Sequence, residues 1–459
     1  LANFEACTFL AIFLKVNHYN TYPYGGAALA ARRIHHGIIA QVADWESQFY
    51  YCLDDFDTSL DSTYQRIEFL PPVKSSSAFS LFRDRLFEKP RRRRLCRQFD
   101  RHIRNRNADL ETFSMSEQIQ PTRLNWAQHA SDIVHLHWIA YLADYPSFFQ
   151  SIPDKVPLVW TLHDMNPFTG GCHYAQDCQR FQRACGHCPQ LHAPAARDSS
   201  RSSFVAKQKS LRRKQIAVVC PSDWLKNLAQ QSPLWPSATT FHTIRYGLEL
   251  DEYYPIDKRL AKQQLGFADD VCLIAFGAEQ IANPRKGFQF LTDALKELGG
   301  THSEERQTSV IQGSPPWIQP LGLVFGGGEL SLSSGIPVHR LGYLKTVEEK
   351  RRVYSAADMV VVPSLEDNQP QVALEAMACG TPVIGFNSGG VPEIVRPGQT
   401  GLLTEKHAPL SHAITELLES QPLRQKLGDQ ARALVVEEFE IGKQTAKYLD
   451  LYQELLKTN

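Results

Sequence analysis

Short β-branched or apolar runs alternate with stretches of helical period along almost the whole chain. That alternation predicts parallel strands joined by crossover helices, an α/β fold. In the first half the strands are expected at Thr8–Leu14, Ile133–Trp138, Leu158–Leu162 and Ile216–Pro221. In the second half they are expected at Val271–Phe276, Leu321–Phe325, Met359–Val362 and Val383–Phe386. Gly247–Pro255, polar and bearing Tyr and Pro, fits no regular period and predicts a linker between the two sets. The expected domains are therefore 1–246 and 247–440, followed by a C-terminal helix over 441–459. Three-to-four spacing of apolar residues predicts the last two helices at Leu423–Phe439 and Ile441–Lys457, the second free to pack back on the first domain. Ser75–Arg106, Ala193–Ser203 and Thr301–Pro320 break the pattern and read as insertions or loops.

Composition narrows the function classes. Lys+Arg 49 balances Asp+Glu 49 in 459 residues that are 43% hydrophobic, which excludes collagenous, disordered and small disulfide-stapled chains. Zero net charge offers no global attraction to nucleic acid, which is not an expected partner. No apolar run reaches the ~18 residues a membrane helix needs. Cys7–Leu14 lacks a basic flank and runs straight into Lys15 and Asn17, so it reads as a buried strand and not a signal peptide. Six of the ten cysteines (Cys7, Cys52, Cys96, Cys220, Cys272, Cys379) are scattered in largely apolar text, as expected of reduced core thiols in a cytoplasmic protein.

The most informative window is Pro363–Pro382. It follows an apolar strand, and a helix can be written onto it with Asn368 as N-cap, Pro370 in the first turn, Gln371 three residues after the cap and Gly380 as the stop. Such a helix turns its free amides toward the carboxyl edge of the sheet, where phosphate-bearing ligands bind. Asp367 and Glu375 bracket that position; about 10–12 Å of helix between them matches the span across a pyrophosphate. The plainer reading is a capped helix with two solvated acids.

Asp367-x7-Glu375, the following Ala-Met-Ala-Cys-Gly-Thr-Pro-Val-Ile, and Gly389-Gly-Val-Pro-Glu-Ile-Val395 together resemble the donor-site signature of retaining GT-B glycosyltransferases of family 4. The family pattern begins with Glu where this chain has Asp367 after Glu366. Further matches run in the family's order. Tyr24-Gly25-Gly26-Ala-Ala resembles its glycine loop, Asp132–His137 and Trp160–Asp164 its acceptor-domain strand ends, and Pro284-Arg285-Lys286-Gly its cationic turn. Ala278 stands where the family has arginine.

The resemblance implies two Rossmann-like domains facing across a cleft, a nucleotide-sugar donor, and a glycan or lipid-linked acceptor. It implies that Glu375 holds the ribose, Asp367 the transferred sugar, and the amides near Asn368, Gln371 and Val372 the diphosphate, with Gly25 and Gly26 approaching from across the cleft. Lys286 and Arg285 would neutralise the leaving group, and His163 would lie beside the reacting sugar. Family members retain anomeric configuration without an evident protein nucleophile or catalytic metal, so no cofactor is expected for catalysis. A nucleotide-sugar-binding protein without activity, or a sugar-nucleotide epimerase on the same fold, are the alternatives.

Cys172-x5-Cys178-x6-Cys185-x2-Cys188 gathers four thiols within 17 residues. The set suits a structural zinc, with disulfides or free thiols as the other readings. The surrounding 166–190 loop resembles that of an exopolysaccharide-assembly subgroup. Between Arg83 and Arg106 stand eleven Lys or Arg against three acids, interleaved with Phe and Leu. A solvated basic face is the plainer reading; docking on anionic lipid at the inner membrane face is the sharper one.

Overall fold

The computed structural model describes residues 14–53, 60–70, 110–115, 123–308, 320–328 and 334–458, with isolated positions between 93 and 106. Two parallel sheets carry the chain. The first contains β1 (Leu14–Tyr19), β2 (Trp45–Tyr51), β3 (Tyr64–Arg66), β4 (Ile133–Leu136), β5 (Leu158–Thr161), β6 (Ile216–Cys220) and β7 (Thr240–Thr243). Its order is β3-β2-β1-β4-β5-β6-β7. The second contains β8 (Cys272–Gln280), β9 (Pro320–Gly327), β10 (Val338–Gly342), β11 (Met359–Val362), β12 (Val383–Phe386) and β13 (Gly401–Thr404), in the order β10-β9-β8-β11-β12-β13.

Strands β4, β5, β6, β11 and β12 are buried at every position, which is why they read as unbroken apolar runs. The sequence pattern misses β2, β3, β7, β10 and β13. All five are terminal or next to terminal in their sheets with exposed or half-buried positions, so polar residues interrupt the run. Of the expected first strand only Leu14 is among the described residues, and the strand runs on beyond the expected end to Tyr19. β1 begins at Leu14 and carries Asn17 and His18, both buried; the Asn17 amide is satisfied by the His129 carbonyl at 2.8 Å. Thr8–Phe13, most of the basic 83–106 run and most of 301–320 lie outside the described residues. Ala193–Ser203 is not wholly loop: Asp198 caps the helix Ser199–Leu211 through the Ser200 and Arg201 amides.

Chain order reverses between β1 and β4 in one sheet and between β8 and β11 in the other, and ligands of open α/β sheets bind at such points. The chain crosses between the sheets twice, side by side. The Leu248 amide donates to the Phe439 carbonyl (2.8 Å) and the Ile441 amide to the Leu248 carbonyl (3.1 Å). A Cβ on Gly247 would stand 2.8 Å from the Ile441 Cα, so only glycine fits this crossing. The final helix, Ile441–Lys457, lies on the first sheet, with Tyr448 hydroxyl on Thr161 (2.8 Å) and Tyr452 hydroxyl on His135 Nδ1 (2.6 Å).

Candidate functional site

The two reversals open onto one crevice. Gly25, at φ 89°, ends the loop after β1 and starts the helix Gly26–Gln41 without a side-chain cap, leaving first-turn amides open to the crevice. Opposite it, the helix Gln371–Ala378 follows β11, also without a side-chain cap. Unpaired amides and aligned dipoles make both helix starts attractive to an anion. Gly380, at φ 75°, stops the second helix as the sequence requires.

The helix start corrects one expectation. Pro370, not Asn368, is the N-cap. Asn368 is pulled outward because its side chain bridges the sheets, accepting from Ser222 Oγ at 2.6 Å and donating to the Leu162 carbonyl at 3.3 Å. Gln369 does the same with Tyr246, accepting from its amide at 2.8 Å and donating to its carbonyl at 3.3 Å. The residue expected to cap the helix and its neighbour hold the two halves together instead.

Glu375 is 2% exposed, and its carboxylate accepts from Tyr253 at 3.1 Å and Tyr354 at 2.7 Å, with Lys350 Nζ at 3.7 Å. Asp367 accepts from Lys286 Nζ at 2.6 Å, from its neighbour's amide at 3.0 Å and from Ser364 at 3.2 Å. Burial alone would raise its pKa, but Lys286 and Arg285 hold the carboxyl below the usual range. Asp367 is therefore ionised at neutral pH, and the stability its lowered pKa contributes is lost only as acid protonates it.

Arg285 and Lys286, adjacent in sequence, do different work. The Arg285 guanidinium donates to Glu111 at 2.5 Å and the Glu366 carbonyl at 2.8 Å, and stacks on the Tyr174 ring at 3.9 Å. Glu111 also accepts from Asn283 at 2.7 Å. Arg285 is thus a clamp between the two halves, and Lys286, the more exposed of the two, is the cation available to a ligand. Gly287, at φ 72°, is needed there: a Cβ would fall 1.8 Å from the Pro363 carbonyl oxygen. Gly390 is equally constrained, its Cβ position being 1.7 Å from the Asn368 carbonyl oxygen. Gly390→Ala is expected to cost about 1–3 kcal/mol of stability by displacing the 367–368 turn, read as a lowered denaturant midpoint.

His163 is half-buried, held between Tyr246 hydroxyl (2.7 Å on Nδ1) and His137 Nδ1 (3.4 Å on Nε2). Burial lowers its pKa to about 4, so the imidazole is neutral. His18, His135 and His137 lie beneath it with ligand atoms all within 4.8 Å of one another, a geometry that could coordinate a metal ion. Five of their six ring nitrogens are engaged, His135 by Tyr452 and Thr161, His137 by His18 and His163, and His18 Nδ1 by His137, while His18 Nε2 is buried without a hydrogen-bond partner. These contacts build a neutral imidazole chain, and burial keeps all three from protonating. Each depressed histidine pKa makes the unfolded chain bind the extra proton first. Stability should therefore fall as pH drops below about 6.5, each such histidine adding about 1.4 kcal/mol per pH unit to the slope. Thermal melts between pH 7.5 and about pH 5 check the sign.

The crevice forms two adjoining cavities of ≈ 540 and ≈ 380 Å³ that share Gly26, Ala278, Glu279, Gln371 and Val372. The larger ends at Glu375 and the smaller at His163, with Lys286 and Asp367 along the smaller. All the sequence-predicted residues except Asn368 and the cysteines thus line this joined space. Sequence reasoning missed Glu111, Tyr174 and Arg33, the last buried and donating to Glu249 (2.7 Å) and Gln371 (2.6 Å). No spacing signal marks any of them, because their partners are distant in the chain.

Residues 281–434 match the family model "Glycosyl transferases group 1". The chain is 31% identical over 183 residues to D-inositol 3-phosphate glycosyltransferase 2 of Catenulispora acidiphila, a match covering 37% of this chain and 40% of that protein. It is 29% identical over 281 residues to the Rhodococcus jostii D-inositol 3-phosphate glycosyltransferase, covering 60% and 56%. The chain thus spans about 40% to 56% of these relatives. Among solved structures, sucrose-phosphate synthase from Thermosynechococcus elongatus superposes with a TM-score of 0.62 at 19% identity, over 97% of this chain and 100% of that one. Anabaena HepE in complex with UDP and glucose gives 0.61 at 17% identity, over 96% and 100%. These likenesses show the fold: two Rossmann-like domains facing across a cleft, the GT-B arrangement.

Proposed function

We propose that this chain is a retaining glycosyltransferase that moves a sugar from a nucleoside-diphosphate donor to a hydroxyl of a glycan or lipid-linked saccharide. The observation that carries the reading is the single crevice joining Glu375, two uncapped helix starts, the Lys286–Asp367 pair and His163. In this reading Glu375 accepts hydrogen bonds from the ribose. The diphosphate lies on the amides of Gln371, Val372 and the Gly25–Gly26 turn, and Lys286 turns from Asp367 to the β-phosphate. The bond between sugar C1 and the phosphate oxygen breaks, and its electron pair leaves with the diphosphate. The acceptor hydroxyl attacks C1 from the same face and its proton passes to a departing phosphate oxygen. The barrier falls because fixed amides and an ammonium meet charge that develops on the phosphate. Neutral His163, its ring held by Tyr246 and His137, borders the sugar position without repelling the cation-like transition state.

HepE was solved with UDP-glucose, which makes UDP-sugars the first donors to test. Incubation with a panel of nucleotide sugars should release nucleoside diphosphate from one, and NMR of the product should show the donor's anomeric configuration. Tight binding without release would favour a non-catalytic role, which Ala278 at the family's arginine position and the engaged Arg285 make worth testing. The reading extends to a cytoplasmic enzyme of exopolysaccharide assembly whose 83–106 segment docks on anionic lipid. Co-sedimentation with phosphatidylglycerol vesicles should then weaken as salt rises, and indifference to salt and lipid charge would remove that part.

A further inference from the structure

Between β5 and the helix Ser199–Leu211 the chain runs without strand or α-helix, with only short 3-10 turns at Asn166–Phe168 and Arg180–Arg183. So long a stretch cannot hold one shape by backbone ladders. It carries Cys172, Cys178, Cys185 and Cys188, all as free thiols, the first and last buried and the other two partly buried. All four line one cavity of ≈ 10 Å³, room for about one atom. The Gly170 amide donates toward Cys185 Sγ from 3.2 Å and fixes where that sulfur lies. Ala184, Cys185, Gly186 and His187 follow one another at φ 62°, 59°, 92° and 47°, curling the Cys185-x2-Cys188 turn around the cavity. That turn is pinned by Ser200 Oγ on the Gly186 amide (3.0 Å) and Asp198 on the Cys188 amide (2.8 Å). Two cations border the cluster. Lys207 donates to the Asn166 carbonyl at 2.6 Å, and Arg106 to the Gln190 carbonyl at 2.9 Å.

We propose that Cys172, Cys178, Cys185 and Cys188 bind one zinc ion as a closed tetrathiolate. Four sulfurs in a tetrahedron are the donor set zinc selects, at about 2.3 Å each, and they leave no open position for chemistry. The complex carries two net negative charges, which Lys207 and Arg106 offset, and each thiol gives up its proton on binding. Among the described residues the group whose ligand atoms already lie within 4.8 Å of one another is the His18, His135, His137 trio. No three of the four cysteine sulfurs lie that close, so they must draw inward to close on the ion. The consequence reaches the crevice. His173, next to Cys172, donates from Nδ1 to the Asp164 carboxylate (2.6 Å), Tyr174 lies under Arg285, and the Gln176 amide donates to Glu366 (3.0 Å). Zinc thus staples the loop whose other residues meet the second domain, and His173 and Tyr174 act as positioning residues. The metal site stands without the sugar-transfer reading, so either can fail alone.

The test is metal analysis of the full chain purified without chelator, where about one zinc per chain is expected. Cys172→Ser/Cys188→Ser should lose it. Because that variant can misfold, cobalt is exchanged into the unaltered chain, where tetrahedral thiolate coordination gives visible d–d bands and a thiolate-to-cobalt charge-transfer band. A mercurial reagent should release zinc in step with four thiols, and the metal-free chain should be cut by protease between 166 and 190. Absence of zinc with all thiols reactive would overturn the site. So would disulfides detected by mass, a cobalt spectrum lacking thiolate bands, or zinc retained in the double variant.

Discussion

Lys286→Ala is expected to lower kcat/KM for sugar transfer about 10²–10³-fold, the usual loss when one fixed stabiliser of transition-state charge is removed. The loss should fall mainly on kcat, because the phosphate charge that Lys286 meets grows as the donor bond breaks. The fold should survive. Asp367 keeps Arg285 at 3.5 Å, the Asn368 amide at 3.0 Å and Ser364 at 3.2 Å, so its carboxylate is not stranded. Lys286→Arg should recover part of the rate, since charge persists while reach and shape change. Steady-state kinetics beside a thermal melt separate the two effects, and near-normal turnover in Lys286→Ala would remove this residue from the mechanism.

Glu375→Ala is expected to weaken donor use about 10²-fold or more, chiefly as a raised KM. Two hydrogen bonds to a charged acceptor contribute about 1.5–3 kcal/mol each. In the free protein Tyr253 and Tyr354 donate to that carboxylate from 3.1 and 2.7 Å. The alanine variant therefore also leaves two phenol groups without their partner in a buried site, so some loss of stability is expected. Glu375→Gln keeps an acceptor oxygen and the side chain's size, and should fall between the two. Isothermal titration with the nucleoside diphosphate reads the binding loss directly, and unchanged affinity in Glu375→Ala would refute the ribose contact.

The arrangement around Arg285 explains why adjacent cations in one sequence motif separate in function. Lys286 reaches the crevice, while Arg285 is drawn the other way by Glu111, the Glu366 carbonyl and the Tyr174 face. Glu111→Gln should therefore loosen the contact between the halves more than it alters the donor cavity. Burial also lifts the Glu366 carboxyl to about 7 despite the Gln176 amide and Arg285. Glu366 thus titrates where Asp367, beside it in sequence, stays charged.

Much of this was legible from local pattern. Strands buried on both faces announce themselves as apolar runs, Gly380 marks its helix end, and the Asp367–Glu375 spacing marks the donor side of the crevice. Strands β3, β7 and β10 were not legible, because exposed edge positions take polar residues and erase the period. The Asn368 cap was misread for a similar reason. An asparagine before a helix satisfies local rules, but its side chain found better partners in Ser222 and the Leu162 carbonyl across the crevice.

The sequence alone determined the α/β class, the two sets of strands and the order of the chemistry-bearing segments, since those depend on burial and on neighbours a few residues apart. Tertiary structure alone decided which of two adjacent cations faces a ligand, which residues latch the sheets, and that the final helix lies on the first sheet. Those outcomes rest on pairs such as Arg285 with Glu111 and Tyr452 with His135, more than a hundred positions apart. Charge pairing and buried hydrogen bonds are decided by proximity in space, and no periodicity along the chain encodes it.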